Sequence, residues 1–425
     1  MLAARDKVLL DRLDQARART DELFDIVRPD SLYDRPIAER YRIVFYIGHL
    51  EAFDWNLLRS QSDLKPFDAG LDQLFAFGID PVDGGLPTDQ PSDWPALAQV
   101  RRYALRVREG LDAVVQDAPE ILLNTAIEHR LMHAETLAYM LHRLPIDKKI
   151  QQAQVAVAER DQPRSELIEI PAGYATLGLS RNDADFGWDN EYNAHVVNVP
   201  AFAIDRYKVT NGQYLKFVRA EGYQDRGLWG PDDWEWKTAH EVSHPAFWKR
   251  DGDRWYLRTM FDETPLPLSW PVYVSHAEAA AYAHWAGKRL PTEAEWQRSA
   301  YGSSKGPFPW GTEAPGPEHG YFDFNRWDPV PVDAFPRGRS EFGLDGLLAN
   351  GWEWTATPFG PFEGFQPFPF YEGYSANFFD GRHFVMKGGS PRTDRSMLRR
   401  SFRNWFQPHY PYVYAGFRCA SGGPK

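Results

Sequence analysis

The first 150 residues carry the apolar spacing of long helices. Apolar side chains recur at helical intervals in four segments, at residues 3–27, 42–58, 96–115 and 119–144. Pro119 opens the last segment, where a proline fits the first turn of a helix. A loop over residues 62–94 separates the second segment from the third. The pattern predicts a four-helix bundle over residues 1–150.

The pattern changes after residue 150. Short apolar runs at 196–199, 202–204 and 271–274 predict strands, while 275–286 and the segment from residue 292 predict helices. Residues 1–150 hold only six of the 33 glycines and two of the 16 tryptophans, so the two parts are built differently. We expect a polar linker over residues 151–165 and an irregular α+β domain over residues 166–425.

Charge and composition exclude several classes of protein. The net charge is −11 and no block of Lys or Arg stands out, which argues against nucleic-acid binding. No apolar run approaches the roughly 20 residues that span a bilayer, and the charged N-terminus does not have the pattern of a signal peptide. We therefore expect a cytoplasmic protein without a membrane partner. The single cysteine, Cys419, excludes an intrachain disulfide and a cysteine-based zinc cluster.

Three histidines are candidate metal ligands. His129 and His133 stand at i and i+4 on a predicted helix, so their side chains share one face, and His49 lies on another predicted helix. Glu135 points off that face and is a candidate partner for a ring N–H of a ligand. Spacing alone leaves open whether these are core histidines or ligands, and imidazole suits Zn, Fe, Ni and Cu alike.

Several strings in order give the chain a family resemblance. IPAGYATLGL, WAGKRLPTEAEW, NGWEWT, KGGS and AGFR resemble the formylglycine-generating-enzyme/sulfatase domain, a C-type-lectin-like fold, over about residues 165–422. The N-terminal part resembles a DinB-like four-helix bundle, so the resemblance implies an α+β multidomain protein. This fusion is typical of the EgtB-type ergothioneine sulfoxide synthases. The oxidase activity of formylglycine-generating enzymes is not carried over, because it needs a pair of cysteines.

The resemblance implies a cofactor and one substrate. His49, His129 and His133 match a three-histidine site for non-haem Fe(II), with O2 as co-substrate. The family joins a thiol-type donor to imidazole carbon 2 of hercynine, the trimethylated betaine of histidine. Asn404 and Trp405 match the positions that contact hercynine.

Three more positions on the substrate side follow from the resemblance. Met132 stands where relatives often place a Gln that touches the hercynine imidazole. Tyr371 and Tyr374 resemble the catalytic and substrate-contacting tyrosines of the family.

The donor side departs from the usual pattern. Where relatives that use γ-glutamylcysteine have RNWDYPxxR, this chain has Phe406 and Tyr410 in place of the Asp and the Arg. The loop over residues 76–95 also has no arginine. A donor with free carboxylates needs cationic partners. The aromatic replacements favour a neutral selenosugar donor, with Gln407 among its hydroxyl partners, as in the selenoneine synthases (SenA).

The sequence leaves two other functions open. One is a sulfoxide synthase that forms a C–S bond with γ-glutamylcysteine or cysteine. The other is a non-catalytic lectin-like binding module. The Asp and Asn residues of the string at 188–191 are fold signatures, and they also make a structural Ca2+ ion a candidate.

Overall fold

The chain forms two compact units in a computed structural model. The units are Met1–Ala153 and Gln154–Lys425, and each is described by itself. The structure describes residues 2–59, 65–76, 85–153, 157, 160–182, 186–304 and 306–422. Within these residues, no helix combines the length and the apolar character needed to cross a membrane.

The first unit is helical. Its helices are α1 (Leu2–Asp25), α2 (Ile43–Leu58), α3 (Ala69–Leu74), α4 (Leu97–Asp112) and α5 (Glu120–Arg143). The four predicted helices are confirmed as α1, α2, α4 and α5. The loop prediction for residues 62–94 is wrong at α3, a short helix whose first turn is capped by Asp68, which accepts from the backbone N–H of Leu71. Residues 62–64 and 77–84 of this predicted loop lie outside the described residues.

A buried ion network joins the helices of this unit. Arg130 on α5 is fully buried, and its guanidinium donates to Glu51 at 3.0 Å and to Asp54 at 2.6 Å, both on α2. Arg108 on α4 bonds to the same Glu51 and to Asp21 on α1. Because these side chains come from four different helices, the network fixes how α2 lies against α5.

The second unit combines short strands with four helices among the described residues. The helices are α6 (Asn211–Arg219), α7 (Pro231–Ala239), α8 (His276–Trp285) and α9 (Glu293–Tyr301). The strands are β1 (Leu167–Ile170), β2 (Gly173–Leu177), β3 (His195–Val199), β4 (Phe202–Asp205), β5 (Trp248–Asp251), β6 (Arg254–Arg258), β7 (Glu263–Pro265), β8 (Gly351–Pro358), β9 (Phe384–Gly389), β10 (Asn404–Phe406), β11 (Ala415–Gly416) and β12 (Ala420–Gly422).

The strands form small sheets. Their orders are β1-β4-β12, β10-β9-β8-β11, β2-β3 and β5-β6-β7. Among the strand pairs of the described residues, only β8–β11 is parallel. The predicted strands at 196–199 and 202–204 are confirmed as parts of β3 and β4. The predicted strand at 271–274 is wrong, because only Pro271 forms an isolated bridge, with Thr210. The predicted helices are confirmed as α8 and α9.

Buried acid–arginine pairs connect distant parts of the second unit. Arg418 donates to Glu353 on β8, Arg399 donates to Glu191, and Arg403 donates to Glu293 on α9. The charged residues of the WDNE, TEAEW and WEW strings therefore join loops to strands and helices. Cys419 is buried and free, as expected for a small core residue.

Candidate functional site

Three histidines of the first unit converge on one point. His49 lies on α2, and His129 and His133 lie one turn apart on α5. Each side chain is about 5% exposed, and the three rings each offer a nitrogen within 4.8 Å of the others. The Nε2 atoms of His129 and His133 lie 3.1 Å apart. The structure therefore brings together the three histidines that the sequence singled out.

The surroundings of the rings fix their orientation. His49 Nδ1 lies 2.8 Å from the carbonyl oxygen of Phe75, so Nδ1 donates a proton and Nε2 keeps its lone pair. Phe53 stacks on His129 with the ring centroids 3.4 Å apart, and Phe45 stacks on His49 at 4.8 Å. Both phenylalanines stand four residues from His49, on the same face of α2.

Burial keeps the three imidazoles neutral. Loss of hydration lowers the pKa of His49 to about 4, and the positive charge of Arg130 also acts to lower it. Loss of hydration likewise lowers the pKa of His129 and of His133 well below the usual value, with further lowering by the neighbouring histidines. A neutral imidazole offers the lone pair that a metal ion takes.

The spacing of two of the nitrogens, those of His129 and His133, fits neighbouring ligand positions on one metal ion. Two imidazole nitrogens about 2.1 Å from one ion and at right angles lie about 3.0 Å apart. The observed Nε2–Nε2 distance between His129 and His133 is 3.1 Å. Among the residues that the structure describes, the cluster contains three imidazoles and no carboxylate. This donor set fits Fe(II), and His49, His129 and His133 are the residues that would hold it.

Most carboxylate oxygens of Asp189 and Glu191, in the string that makes a structural Ca2+ ion a candidate, already have partners among the described residues. Asp189 Oδ1 accepts from the hydroxyl of Ser375, and Glu191 pairs with Arg399 and Ser401, whereas Asp189 Oδ2 is buried without a hydrogen-bond partner among the described residues. A second group of converging side chains, Glu313, Glu318 and His319, has an exposed and a half-exposed carboxylate. A structural Ca2+ ion stays a prediction.

Aromatic side chains of the second unit surround Trp405 on β10. Phe359 stacks on Trp405 at 4.2 Å, and the ring of Tyr374 meets it edge-on at 5.4 Å. Tyr374 also stacks on Trp188 at 3.9 Å, and Tyr371 lies 5.5 Å from Tyr374. We call Trp188, Phe359, Tyr371, Tyr374 and Trp405 the Trp405 cluster. Such a cluster has the electron-rich faces that attract a trimethylammonium group.

The segment after β10 brings two more predicted residues together. Phe406 and Tyr410 stack with centroids 5.2 Å apart and an interplanar angle of 12°. Asn404 accepts from the backbone N–H of Trp405 at 2.9 Å, and Gln407 is exposed. His409 bonds through Nε2 to Asp233 on α7 at 2.7 Å.

The roles of two residues on α5, Met132 and Glu135, stay predictions. Met132 is half-buried, and Glu135 is buried. The Phe75 carbonyl is the partner of one ring nitrogen of the cluster, Nδ1 of His49. Sequence reasoning missed Phe75, Phe53 and Phe45, although the spacing of the last two around His49 is a usable signal.

Comparison with known proteins gives matches for both units. The chain matches the sulfatase-modifying factor enzyme 1-like domain over residues 152–422 and the DinB superfamily over residues 12–143. It is 33% identical over 431 aligned positions to a hercynine oxygenase of Mycolicibacterium thermoresistibile, covering 97% of this chain and 94% of that protein.

Two further relatives extend the comparison. A hercynine oxygenase of Mycobacterium tuberculosis is 36% identical over 334 positions, covering 76% of this chain and 77% of that protein. Ergothioneine biosynthesis protein 1 of Neurospora crassa is 27% identical, covering 92% of this chain and 55% of that protein. The α+β prediction and both predicted domain types are confirmed.

Proposed function

Because this chain belongs to the hercynine oxygenase family, an iron-dependent class of enzyme, we propose that it uses O2 to join imidazole carbon 2 of hercynine to a sulfur or selenium atom. One observation carries the proposal. Three buried, neutral imidazoles present their nitrogens to one point, and a carboxylate is absent from the described cluster. This arrangement supports His49, His129 and His133 as iron ligands.

The reaction balances with one molecule of O2. Carbon 2 of the imidazole and the donor atom each lose one hydrogen, and the new carbon–chalcogen bond forms between them. One oxygen atom leaves as water with these two hydrogens, and the other stays on the chalcogen. When bound, iron would supply activation of O2 and a common template for the two partners.

The protein's own aromatic residues would bind and orient hercynine. Its trimethylammonium group cannot donate a hydrogen bond, so it needs electron-rich ring faces, worth about 0.5–2 kcal/mol. The Trp405 cluster supplies such faces, and the amide of Asn404 stands beside it on β10. The half-buried phenol of Tyr371 is the group that we propose moves a proton.

For the donor, we propose a neutral selenosugar. Phe406 and Tyr410 stand at the positions that would otherwise pair with the charges of γ-glutamylcysteine, and they form a stacked aromatic pair. Flat ring faces suit the C–H face of a sugar, whereas free carboxylates require cations. A thiol donor is the second candidate, and it is supported by the name of the Neurospora crassa relative.

A comparison of donors tests both the coupling reaction and the identity of the donor. The protein is loaded with Fe(II) without oxygen, and hercynine is then offered in air with a selenosugar, with γ-glutamylcysteine or with cysteine. Mass spectrometry of the products is expected to show coupling to selenium as the fastest reaction. Efficient coupling to γ-glutamylcysteine alone would show that the donor is a thiol and not a selenosugar. No coupling with any donor would overturn the proposed reaction itself.

A further inference from the structure

The backbone carbonyl that holds His49 belongs to Phe75, at the end of the short helix α3. Phe75 directly follows α3, and its N–H bonds to the carbonyl of Leu71 at 3.0 Å, which closes the last turn. The carbonyl of Phe75 then accepts from His49 Nδ1 at 2.8 Å. A ligand ring whose second nitrogen has such a partner is fixed in tautomer and in direction.

The ring of Phe75 occupies the space that a side chain at position 48 would need. Gly48 precedes His49 on α2, and a Cβ atom built there would lie only 2.4 Å from the Phe75 ring. Contacts under 3.0 Å essentially do not occur, so a methyl group at this position must displace something. Glycine is less favourable than alanine in the interior of a helix. A packing reason is therefore needed for Gly48, and Phe75 provides it.

The Phe75 ring has little freedom to move aside. It is fully buried and lies 5.7 Å from Tyr103 and 6.2 Å from Trp94, measured between ring centroids. Tyr103 on α4 donates through its hydroxyl to Asp72 of α3 at 2.7 Å. These contacts tie α3 to its neighbours, so a group added at position 48 would push α3 and the Phe75 carbonyl away from His49.

We propose that Gly48 and Phe75 are positioning residues for the three-histidine centre. The Phe75 carbonyl directs His49 Nε2 toward His129 and His133, and the bare backbone of Gly48 lets Phe75 approach closely enough to do so. The inference rests on the proposed metal centre, but it concerns two residues that are not among the three proposed ligands.

Cobalt binding to the full-length protein tests this role apart from catalysis. The dissociation constant for Co(II) and its visible absorption spectrum are measured for wild type, Gly48→Ala and Gly110→Ala. Loss of an outer partner of a ligand typically costs 10–100-fold in metal affinity, which is the loss expected for Gly48→Ala. Gly110→Ala is the matched control on α4, because its Cβ would lie 3.4 Å from Trp55, an ordinary contact. It should stay within about twofold of wild type.

A second substitution relieves the proposed clash. Phe75→Leu keeps the backbone carbonyl and removes the ring. Gly48→Ala combined with Phe75→Leu should therefore bind Co(II) more tightly than Gly48→Ala alone. Equal affinities of wild type and Gly48→Ala, or a double variant no tighter than Gly48→Ala, would overturn the positioning role. If Gly48→Ala fails to fold, the double variant decides: a double variant that folds and binds Co(II) within about tenfold of wild type supports the role, and one that also fails to fold or binds no Co(II) overturns it. Wild type that binds no Co(II) would instead overturn the metal centre and the proposed function with it.

Discussion

The imidazole of His129 lies flat against the phenyl ring of Phe53, with the ring planes only 10° apart. Phe53 is on α2 and His129 is on α5, so the contact ties the ring of a candidate ligand to the helix that carries His49. The same pair of helices is joined by the buried bonds of Arg130 to Glu51 and Asp54. The convergence of the three imidazoles is thus a property of how α2 packs on α5.

Replacing His129 by Gln should remove the metal while keeping the fold. Gln has a similar volume but no imidazole lone pair, and two remaining histidines are too few for a stable site. We expect Fe(II) content to fall from about one ion per chain to less than a tenth of that, with loss of coupling activity. Metal analysis after anaerobic loading and circular dichroism measure the two effects. His142→Gln, a buried position on the same helix, should keep its iron; equal iron in both variants would refute the ligand role of His129.

Replacing Arg130 by Met should strongly destabilise the first unit. The substitution leaves the carboxylate of Asp54 buried without its cation and leaves Glu51 with Arg108 alone; breaking such a buried pair typically costs about 3–5 kcal/mol. For a unit of this size the first melting transition should fall by roughly 10 °C, as measured by calorimetry.

An exposed ion pair of the same unit gives the control. Lys148 and Asp34 form a partly exposed pair, and exposed pairs contribute little. Lys148→Met should leave the transition nearly unchanged. Similar shifts for Arg130→Met and Lys148→Met would contradict a structural role for the buried network.

The helices of the first unit could be predicted because their signals are local. Apolar spacing and Pro119 place α1, α2, α4 and α5 within a few residues of their observed ends. Helix α3 could not be found this way, since it has only six residues, one of them Gly70. The run at 271–274 looks like a strand because it is apolar and β-branched, but Val272 and Val274 donate to the carbonyls of Val209 and Ala415 instead of forming a regular ladder.

The residues of the candidate site could likewise be predicted from spacing only where they are close in the sequence. His129 and His133 are visible as a pair because they lie one helical turn apart. His49 is 80 residues away from His129, and only the family resemblance joined it to them. The Phe75 carbonyl leaves no mark in the sequence, because any residue carries a backbone acceptor and the contact depends on how α3 packs.

The Glu191–Arg399 pair should make the stability of the second unit depend on pH. Burial acts to raise the pKa of Glu191. The guanidinium of Arg399 and the hydroxyl of Ser401 lower this pKa by a larger amount, so the net pKa is below the usual value. A carboxyl whose pKa is lowered by folding contributes stability above its unfolded pKa of about 4.3, and that stability is lost as the pH falls through the folded pKa.

Comparison with Glu191→Gln isolates this contribution. At pH 7 and pH 5 the wild type should melt at a higher temperature than the variant, because the charged pair is intact. Toward pH 3 the difference should shrink as Glu191 takes up a proton. A melting difference that stays constant from pH 7 to pH 3 would contradict the role of the charged form.

Restoring the missing charges should change which donor the enzyme accepts. Phe406→Asp combined with Tyr410→Arg returns an anion for an amino group and a cation for a carboxylate. A hydrogen bond to a charged group contributes about 1.5–3 kcal/mol. We therefore expect kcat/KM for γ-glutamylcysteine to rise by at least about tenfold. We expect kcat/KM for the selenosugar to fall, because the stacked pair of Phe406 and Tyr410 is lost.

The KM for hercynine separates a donor effect from general damage. Trp405 and Asn404 are untouched in the double variant, so the KM for hercynine should change little. Tyr410→Phe keeps the aromatic pair and serves as the matched control, with donor preference unchanged. A double variant that still prefers the selenosugar to the wild-type extent would show that these two positions do not select the donor. An equal loss with every donor would point to a disturbed β10, because Phe406 pairs with Phe384 at the edge of that sheet.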